Sequence, residues 1–411
     1  MVKAIASILD TDLYKLTMQQ AVLEHFKDVR VSYRFTNRSM NMRFNTAAFD
    51  SIQEGIQFLS QLSLQPHEAA YLSSDKAPMF KPSYIEYLSQ YRFNTTDQIN
   101  ARLVNVDDNG FGDLEIDIRG LWVETILYEV PLMSIVSESY FAHVDTDWTY
   151  DGQDTAAKDK MRCMAEQGIL LAEFGSRRRR SFQGHDIVIA ALKQESDRMQ
   201  QLGATGKLGG TSNVYFALKY DIPPIGTVAH EWTMGIAAMT GYSNANYTAL
   251  TLWEKTFGDK LLIALTDTFT TDAFWREFLE HPEKAQKWMG IRQDSGDPYK
   301  FCRDAKEVYR KLGVDTQNKV IVFSDGLDTE TCVQLKKLTD EHGFKSSFGV
   351  GTFLTNDYRK ASNKQEKSKA LNIVIKIASV GDTPTIKLSD DLSKITGNDS
   401  TVQTVRNELH V

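Results

Sequence analysis

The chain has 411 residues, 42% hydrophobic and 25% charged, with a formal net charge of -7. That length suits two or three domains around a large core, and the composition is that of an ordinary globular protein. The acidic balance excludes a global basic footprint for nucleic acid, so any handling of phosphates falls to a local cationic pocket. Cys163, Cys302 and Cys332 are far apart and odd in number. They give neither a disulfide framework nor zinc spacing, which suits a reducing compartment. Met1–Asp12 lacks the pattern of a signal peptide, and no apolar run reaches membrane-spanning length.

In chain order, Thr11–Met18 reads as a helix capped by Asp12, with Leu13, Leu16 and Val22 inward. Val31–Phe35 and Leu114–Gly120 alternate like half-exposed strands, and Phe49–Leu64 is helical. Residues 1–140 therefore form an α+β domain. Val144–Lys160 is polar and aspartate-rich, an exposed loop. From residue 168 a different regularity begins, in which short apolar runs end in small, polar or charged residues. Ile169–Ala172 precedes Phe174-Gly175, and another stretch ends at Gly209–Asn213. Ile222–Ile225 precedes Gly226-Thr227, Leu261–Leu265 precedes Thr266-Asp267, and Met289–Ile291 precedes Arg292. Val320–Phe323 precedes Ser324-Asp325, and Ser347–Gly351 precedes Thr352.

Amphipathic stretches separate these runs. Asp297-Pro298 opens a helix with Phe301, Ala305, Val308, Tyr309 and Leu312 as its stripe, ended by Gly313. Asp328 caps another, with Cys332, Leu335 and Leu338 inward and Gly343 at its end. Continuous apolar strands alternating with helices predict a parallel sheet. About seven such units predict a barrel or barrel-like sheet over residues 141–369, with reactive side chains just past the strands' C-terminal ends. Asn356–Lys369 is a lysine-rich loop, and 371–377 with 384–388 reads as a hairpin returning to the first domain's sheet. The first domain is thus joined by about 370–411, although the tail beyond Ser389 is too polar to carry much core.

Five segments carry candidate chemistry. His230 follows a small-residue turn, Gly226-Thr227, where an imidazole can act as acid, base or nucleophile toward phosphorus. Arg292–Pro298 places a guanidinium beside Asp294 and Asp297. A capped helix start explains the second half of that segment, and recognition of a carboxylate beside a polyol or magnesium site explains the whole. Gly349, Gly351 and Thr352 offer backbone N–H groups and a hydroxyl to a phosphate, though glycines also serve tight turns. Phe174 precedes Gly175 and the run Arg177–Arg180. That run reads as a solvated or nuclear-import patch, or as a flat slot with an aromatic wall and a nearby cation. Tyr14 sits in the first helix, where nothing local demands a function.

Together these segments resemble the nicotinate phosphoribosyltransferase family. TDLYKLTM, EFGSRRR, GGTSN, GTVAHEW, ALTDT, GIRQDSGDP, FSDGLD, SFGVGTFLT and LNIVIK carry the resemblance, from residue 11 to 389. It implies an irregular α/β barrel plus an α+β domain, working as a cytoplasmic homodimer. It implies the joining of nicotinate to phosphoribosyl pyrophosphate with magnesium, coupled to ATP hydrolysis through a phosphohistidine at His230. It also implies that Phe174 stacks on the pyridine ring and that Tyr14, from a partner subunit, covers the other face. Arg292 and Thr227 would hold nicotinate, with Arg177 adding positive charge. Asp267 and Asp294 would lie near ribose and magnesium, and Gly349, Gly351 and Thr352 would hold the 5-phosphate.

Two rival readings remain. A nicotinamide phosphoribosyltransferase would want a pocket carboxylate near Gly210–Asn213, where this chain has only hydroxyl and amide groups. A non-catalytic binding protein of the same fold would have little use for His230, Arg292 and Asp294 together.

Overall fold

A computed structural model describes residues 4–411; Met1–Lys3, the start of the N-terminal stretch considered above, lie outside the described residues. The strands β1 (Arg30–Asn37), β2 (Phe44–Asn45), β3 (Ile99–Val104) and β4 (Phe111–Leu121) begin an antiparallel sheet. In β4 burial alternates, with Gly112, Leu114, Ile116, Ile118 and Gly120 inside, as expected of a sheet covered on one face. A parallel sheet follows, from β5 (Leu170–Glu173), β6 (Lys207–Thr211), β7 (Ile263–Leu265), β8 (Gly290–Gln293), β9 (Val320–Phe323) and β10 (Lys345–Val350). Its order is β6-β5-β10-β9-β8-β7. After a short pair, β11 (Tyr358–Arg359) and β12 (Lys367–Ser368), the chain returns as β13 (Ile373–Val380) and β14 (Thr383–Pro384). These complete the antiparallel sheet in the order β14-β13-β1-β4-β2, with β3 beside β4. The β1–β13 register runs from Val31 opposite Val380 to Asn37 opposite Ile373. This pairing carries C-terminal side chains back to the mouth of the parallel sheet.

The mixed α/β class expected from the sequence stands, with one strand fewer than the apolar runs suggested. Ile222–Ile225 forms no strand and makes only a bridge between Thr211 and Pro224. Pro223 and Pro224 remove the N–H donors a ladder needs there. Consequently β6 and β7, the two ends of the parallel sheet, are not paired to each other. The helices Pro298–Lys311 and Thr329–Glu341 start where expected, with Asp297 accepting from Tyr299 N–H and Asp328 from Thr331 N–H, both at 2.8 Å.

Three stretches differ from the sequence reading. Part of Val144–Lys160 belongs to a helix, Gln153–Glu166, which buries Ala157, Met161, Met164 and Ala165. The polar tail holds a helix, Asp399–Leu409, whose Val402 and Val405 pack with Phe269, Ala273, Ile386 and Leu388 in a small separate cluster. The first helix, Leu13–His25, is buried over its whole first half, polar residues included. Asp12 stands at its N-cap without making a capping bond, and accepts instead from the Ser212 hydroxyl at 2.7 Å.

Burying that helix requires internal partners for every polar group it carries. Gln19 and Gln20 donate to the carbonyls of Val123 and Met79 at 2.8 and 3.0 Å. The Lys15 ammonium is fully buried between Glu129, at 2.6 Å, and Glu231. Arg179 forks onto Asp10 with two bonds of 2.8 Å, and both side chains are inaccessible to solvent. Removing one member of such a pair strands the other. Asp10→Ala is expected to cost about 3–5 kcal/mol of stability. Asp304→Ala, which breaks the exposed pair with Lys300, is expected to cost less than about 1 kcal/mol. Unfolding midpoints of the two variants check this; equal losses would contradict it.

Candidate active site

The C-terminal ends of β5, β8, β9 and β10 converge on one cavity of about 930 Å³. Phe174 leaves β5 with its N–H donating to Val350 O at 2.8 Å, which fixes it beside β10. Its ring lies over Gly349, where a Cβ would come within 2.5 Å of the ring carbons. Only glycine permits that approach. From β8, Arg292 donates through Nε to Ser324 Oγ at 2.8 Å and through Nη2 to Asp294 Oδ1 at 2.9 Å. Its guanidinium carbon stands 5.9 Å from the centre of the Phe174 ring. An aromatic wall and a pinned cation therefore face one space.

His230 is the first residue of the helix His230–Thr240. Its Nδ1 lies 3.0 Å from Thr268 Oγ1, and its Nε2 lies 3.1 Å from Asp294 Oδ2 and 2.9 Å from the Lys387 ammonium. Asp267 is fully buried behind it, with Oδ1 lacking a hydrogen-bond partner and Oδ2 accepting from Ser295. Burial, and then Lys387, press the imidazole below its ordinary pKa. Its place at a helix N-terminus disfavours the cation further. Both effects favour the neutral ring, which keeps a nucleophilic lone pair. Burial alone would raise the Asp294 carboxyl; Arg292, His230 and Lys387 outweigh it and hold it well below the usual carboxylate range.

Cations dominate the walls. Arg38, Arg177, Arg178, Arg292, Lys376, Lys387 and Lys394 face the cavity against Asp294, Asp325, Asp328 and Asp391. In a chain of net charge -7 this is the local cationic pocket that composition demanded. Burial first, then the neighbouring Lys387 and Arg38, push Lys376 down to about 7. A smaller chamber of about 100 Å³ adjoins, lined by Tyr14, Glu129, Arg177, His230, Glu231, Arg292, Asp294, Lys376 and Lys387 among others. His230, Asp267 and Asp294 also place three donor atoms within 4.8 Å of one another. The trio does not fit a resident divalent ion. The Lys387 ammonium already stands 2.9 Å from His230 Nε2 and 3.3 Å from Asp267 Oδ2.

Comparison with known proteins agrees with this geometry. Residues 169–411 match the nicotinate phosphoribosyltransferase family model, and residues 9–137 match the family's N-terminal domain. The chain belongs to the nicotinate phosphoribosyltransferase family. A Schizosaccharomyces pombe protein named probable nicotinate phosphoribosyltransferase is 44% identical, covering 99% of this chain and 98% of its own. The Saccharomyces cerevisiae nicotinate phosphoribosyltransferase is 40% identical over 98% of this chain and 95% of its own. A Saccharomyces cerevisiae crystal structure described as that of a putative nicotinate phosphoribosyltransferase superposes with a TM-score of 0.95 at 39% identity, covering 99% of this chain and 98% of that one.

Within this family fold, most of the residues singled out from sequence come together. Phe174, Arg177, His230, Arg292, Asp294, Gly349, Gly351 and Thr352 border the large cavity, and Asp267 backs it. Tyr14 lines the adjoining chamber of its own chain, with the Arg177 guanidinium 6.0 Å from its ring, so no partner subunit is needed to bring it there. Thr227 is apart from the rest. It lies on the loop before His230, borders neither cavity, and reaches only the Val228 carbonyl at 3.4 Å.

The arginine run divides. Arg177 and Arg178 face the cavity, whereas Arg179 and Arg180 are buried, Arg180 lying 3.6 Å over the Phe141 ring. The stretch Gly210–Asn213, weighed above for base selectivity, borders neither cavity. Its Thr211, Ser212 and Asn213 side chains bond Glu173, Asp12 and Asp10 instead.

Sequence reasoning missed Arg38, Lys376, Lys387 and Lys394. A signal existed for two of them. Lys376 and Lys387 are lone lysines inside the apolar runs Ile373–Ile377 and Ile386–Leu388. The pH dependence of anion binding tests the assignment of Lys376. Its folded pKa is depressed, so its charge is present below about 7 and lost above it, and affinity for inorganic pyrophosphate falls as pH rises. Titration calorimetry from about pH 6 to about pH 9 should show this step in the parent and not in Lys376→Arg, whose guanidinium stays charged. Identical profiles would contradict it.

Proposed function

We propose that this chain joins nicotinate to phosphoribosyl pyrophosphate, releasing nicotinate mononucleotide and pyrophosphate in salvage toward NAD. Membership of the family supports the reading. The observation that carries it is that the Phe174 ring, the Arg292 guanidinium and His230 border one cavity. The pyridine ring lies on Phe174, with Tyr14 and Arg177 beside it, and Arg292 fixes the carboxylate. Gly349, Gly351 and Thr352 take the 5-phosphate at the end of β10. Arg38, Lys376 and Lys394 take the pyrophosphate. Magnesium would offset the charge of the pyrophosphate; among His230, Asp267 and Asp294 that place is already taken by the Lys387 ammonium.

As the C1–O bond breaks, both electrons leave with pyrophosphate and the ribose becomes oxocarbenium-like. The pyridine nitrogen then supplies the pair for the new C1–N bond. Holding that weak nucleophile in line is mostly a matter of position. The ionised Asp294 offsets charge developing on the ribose, and the wall lysines offset charge on the leaving group.

ATP coupling completes the proposal and corresponds to a ligase classification. The neutral His230 attacks the γ-phosphorus, ADP departs with the bonding pair, and water later cleaves the N–P bond to release phosphate and restore the imidazole. The phosphoryl group adds about two negative charges beside the phosphate-binding walls, which links the cycle to the binding of anionic substrates. The enzyme works in the cytoplasm, and a homodimer is compatible with a site that one chain already supplies.

Selectivity for nicotinate over nicotinamide falls to Arg292 and Arg177. Arg292→Gln is expected to lower kcat/KM for nicotinate by about 1.5–3 kcal/mol, or about 10- to 150-fold, with a much smaller effect on any residual nicotinamide turnover. Competition among nicotinate, nicotinamide and quinolinate checks this; preferential turnover of nicotinamide by the parent would overturn the assignment. His230→Asn should abolish transfer of label from [γ-32P]ATP to protein and lose the stimulation by ATP. Survival of both in that variant would remove His230 from the coupling step.

A further inference from the structure

The grouping of His230, Asp267 and Asp294 has the donor set of a divalent-cation site, with three ligand atoms within 4.8 Å of one another. One imidazole and two carboxylates of this kind behind a phosphate pocket would ordinarily call for a metal. Here one side chain stands in the way. The Lys387 ammonium lies 2.9 Å from His230 Nε2 and 3.3 Å from Asp267 Oδ2, with 4% of its side chain exposed. It arrives from the C-terminal segment, whose backbone is held by Leu388 N–H on Thr268 O at 2.9 Å and by reciprocal Lys387–Thr396 bonds of 3.0 and 2.9 Å. Because the Thr268 hydroxyl also meets His230 Nδ1, the imidazole and the lysine segment are held by the same residue.

The ammonium bears on the tautomer too. His230 Nε2 has two competing partners, Asp294 Oδ2 at 3.1 Å and Lys387 Nζ at 2.9 Å. The carboxylate can only accept, so it asks for a proton on Nε2; the ammonium can only donate, so it asks for the lone pair there. One neutral imidazole satisfies one of them at a time. Asp294 already accepts from Arg292 at 2.9 Å and Ser324 at 2.6 Å, both on Oδ1, so its charge stays compensated when Oδ2 receives no proton from His230. With Lys387 donating to Nε2, Nδ1–H donates to Thr268 Oγ1, and the lone pair lies on the nitrogen between the cavity lysine and Asp294.

We propose that Lys387 is a built-in cation that occupies the metal position of the His230–Asp267–Asp294 trio and holds His230 in the tautomer with its proton on Nδ1. It is a positioning residue. The occupancy stands independently of phosphate transfer; the benefit of the tautomer rests on His230 being the phosphoryl acceptor. Lys387 thereby replaces a divalent ion with a single charge that cannot dissociate.

The test is titration of the full-length protein with Co2+, followed by ligand-field absorption, in the parent, Lys387→Ala and the double variant Lys387→Ala/His230→Asn. Removing the ammonium should create a site of one Co2+ per chain, about tenfold or more tighter than any in the parent, and the double variant should lose it. In parallel, selective 15N-histidine spectra of the parent and Lys387→Met, which keeps most of the apolar stem, should show His230 shifting toward the Nε2–H tautomer in the variant. If Lys387→Ala does not fold, Lys387→Met serves for both measurements. The proposal is overturned if the parent binds Co2+ through His230 as tightly as the lysine variant. It is overturned equally if the variant gains no site, or if the His230 tautomer is the same in both proteins. None of these readouts depends on turnover, so a failure here leaves the phosphohistidine reading to its own labelling test.

Discussion

Charges taken out of water at the end of a parallel sheet must compensate one another, and that constraint organises the pocket. Asp294 stands at its centre, accepting from Arg292 and Ser324 on one oxygen and facing His230 on the other. Each partner comes from a different element: β8, the loop after β9, and the helix that His230 begins. The same carboxylate therefore orients the proposed base-binding cation and meets the proposed phosphoryl acceptor. A change at Asp294 would be felt at both, which is the physical sense in which the two halves of the chemistry are coupled.

The fold serves this centre by bringing remote chain segments to one mouth. β13 pairs with β1 across more than 330 residues of sequence, and that return delivers Lys376 and, beyond β14, Lys387 and Lys394 to the cavity wall. The first helix is anchored in the same region through Lys15, whose partners Glu129 and Glu231 border the smaller chamber. Arg177 is tethered in turn by Glu129 at 3.1 Å. Cationic groups proposed to grip substrate are thus held by internal carboxylates before any substrate arrives, which lessens the ordering that binding requires.

The parts of this arrangement that depend on local chemistry were legible in the sequence. Asp297 and Asp328 announce helix starts, the apolar runs announce parallel strands, and their polar exits announce where Phe174, Arg292 and Gly349 would face. The parts that depend on distant pairing were not. Nothing near Lys387 in sequence reveals that it will meet His230, because the contact follows from where the C-terminal segment lies against Thr268. Arg179 and Arg180 read as surface charge for a similar reason. Their partners, Asp10 and the Phe141 ring, lie far along the chain. Pro223-Pro224, by contrast, was a local signal outweighed by the apolar residues flanking it.

The central claim is that one flat anionic base, one ribose phosphate and one imidazole share a single cavity. A crystal structure with nicotinate mononucleotide bound tests it most directly. The account predicts the pyridine ring against Phe174, its carboxylate on Arg292, and the phosphate at Gly349–Thr352. Density for the nucleotide elsewhere would contradict it, for instance in the separate cavity of about 600 Å³ lined by Thr270, Lys300 and Arg406.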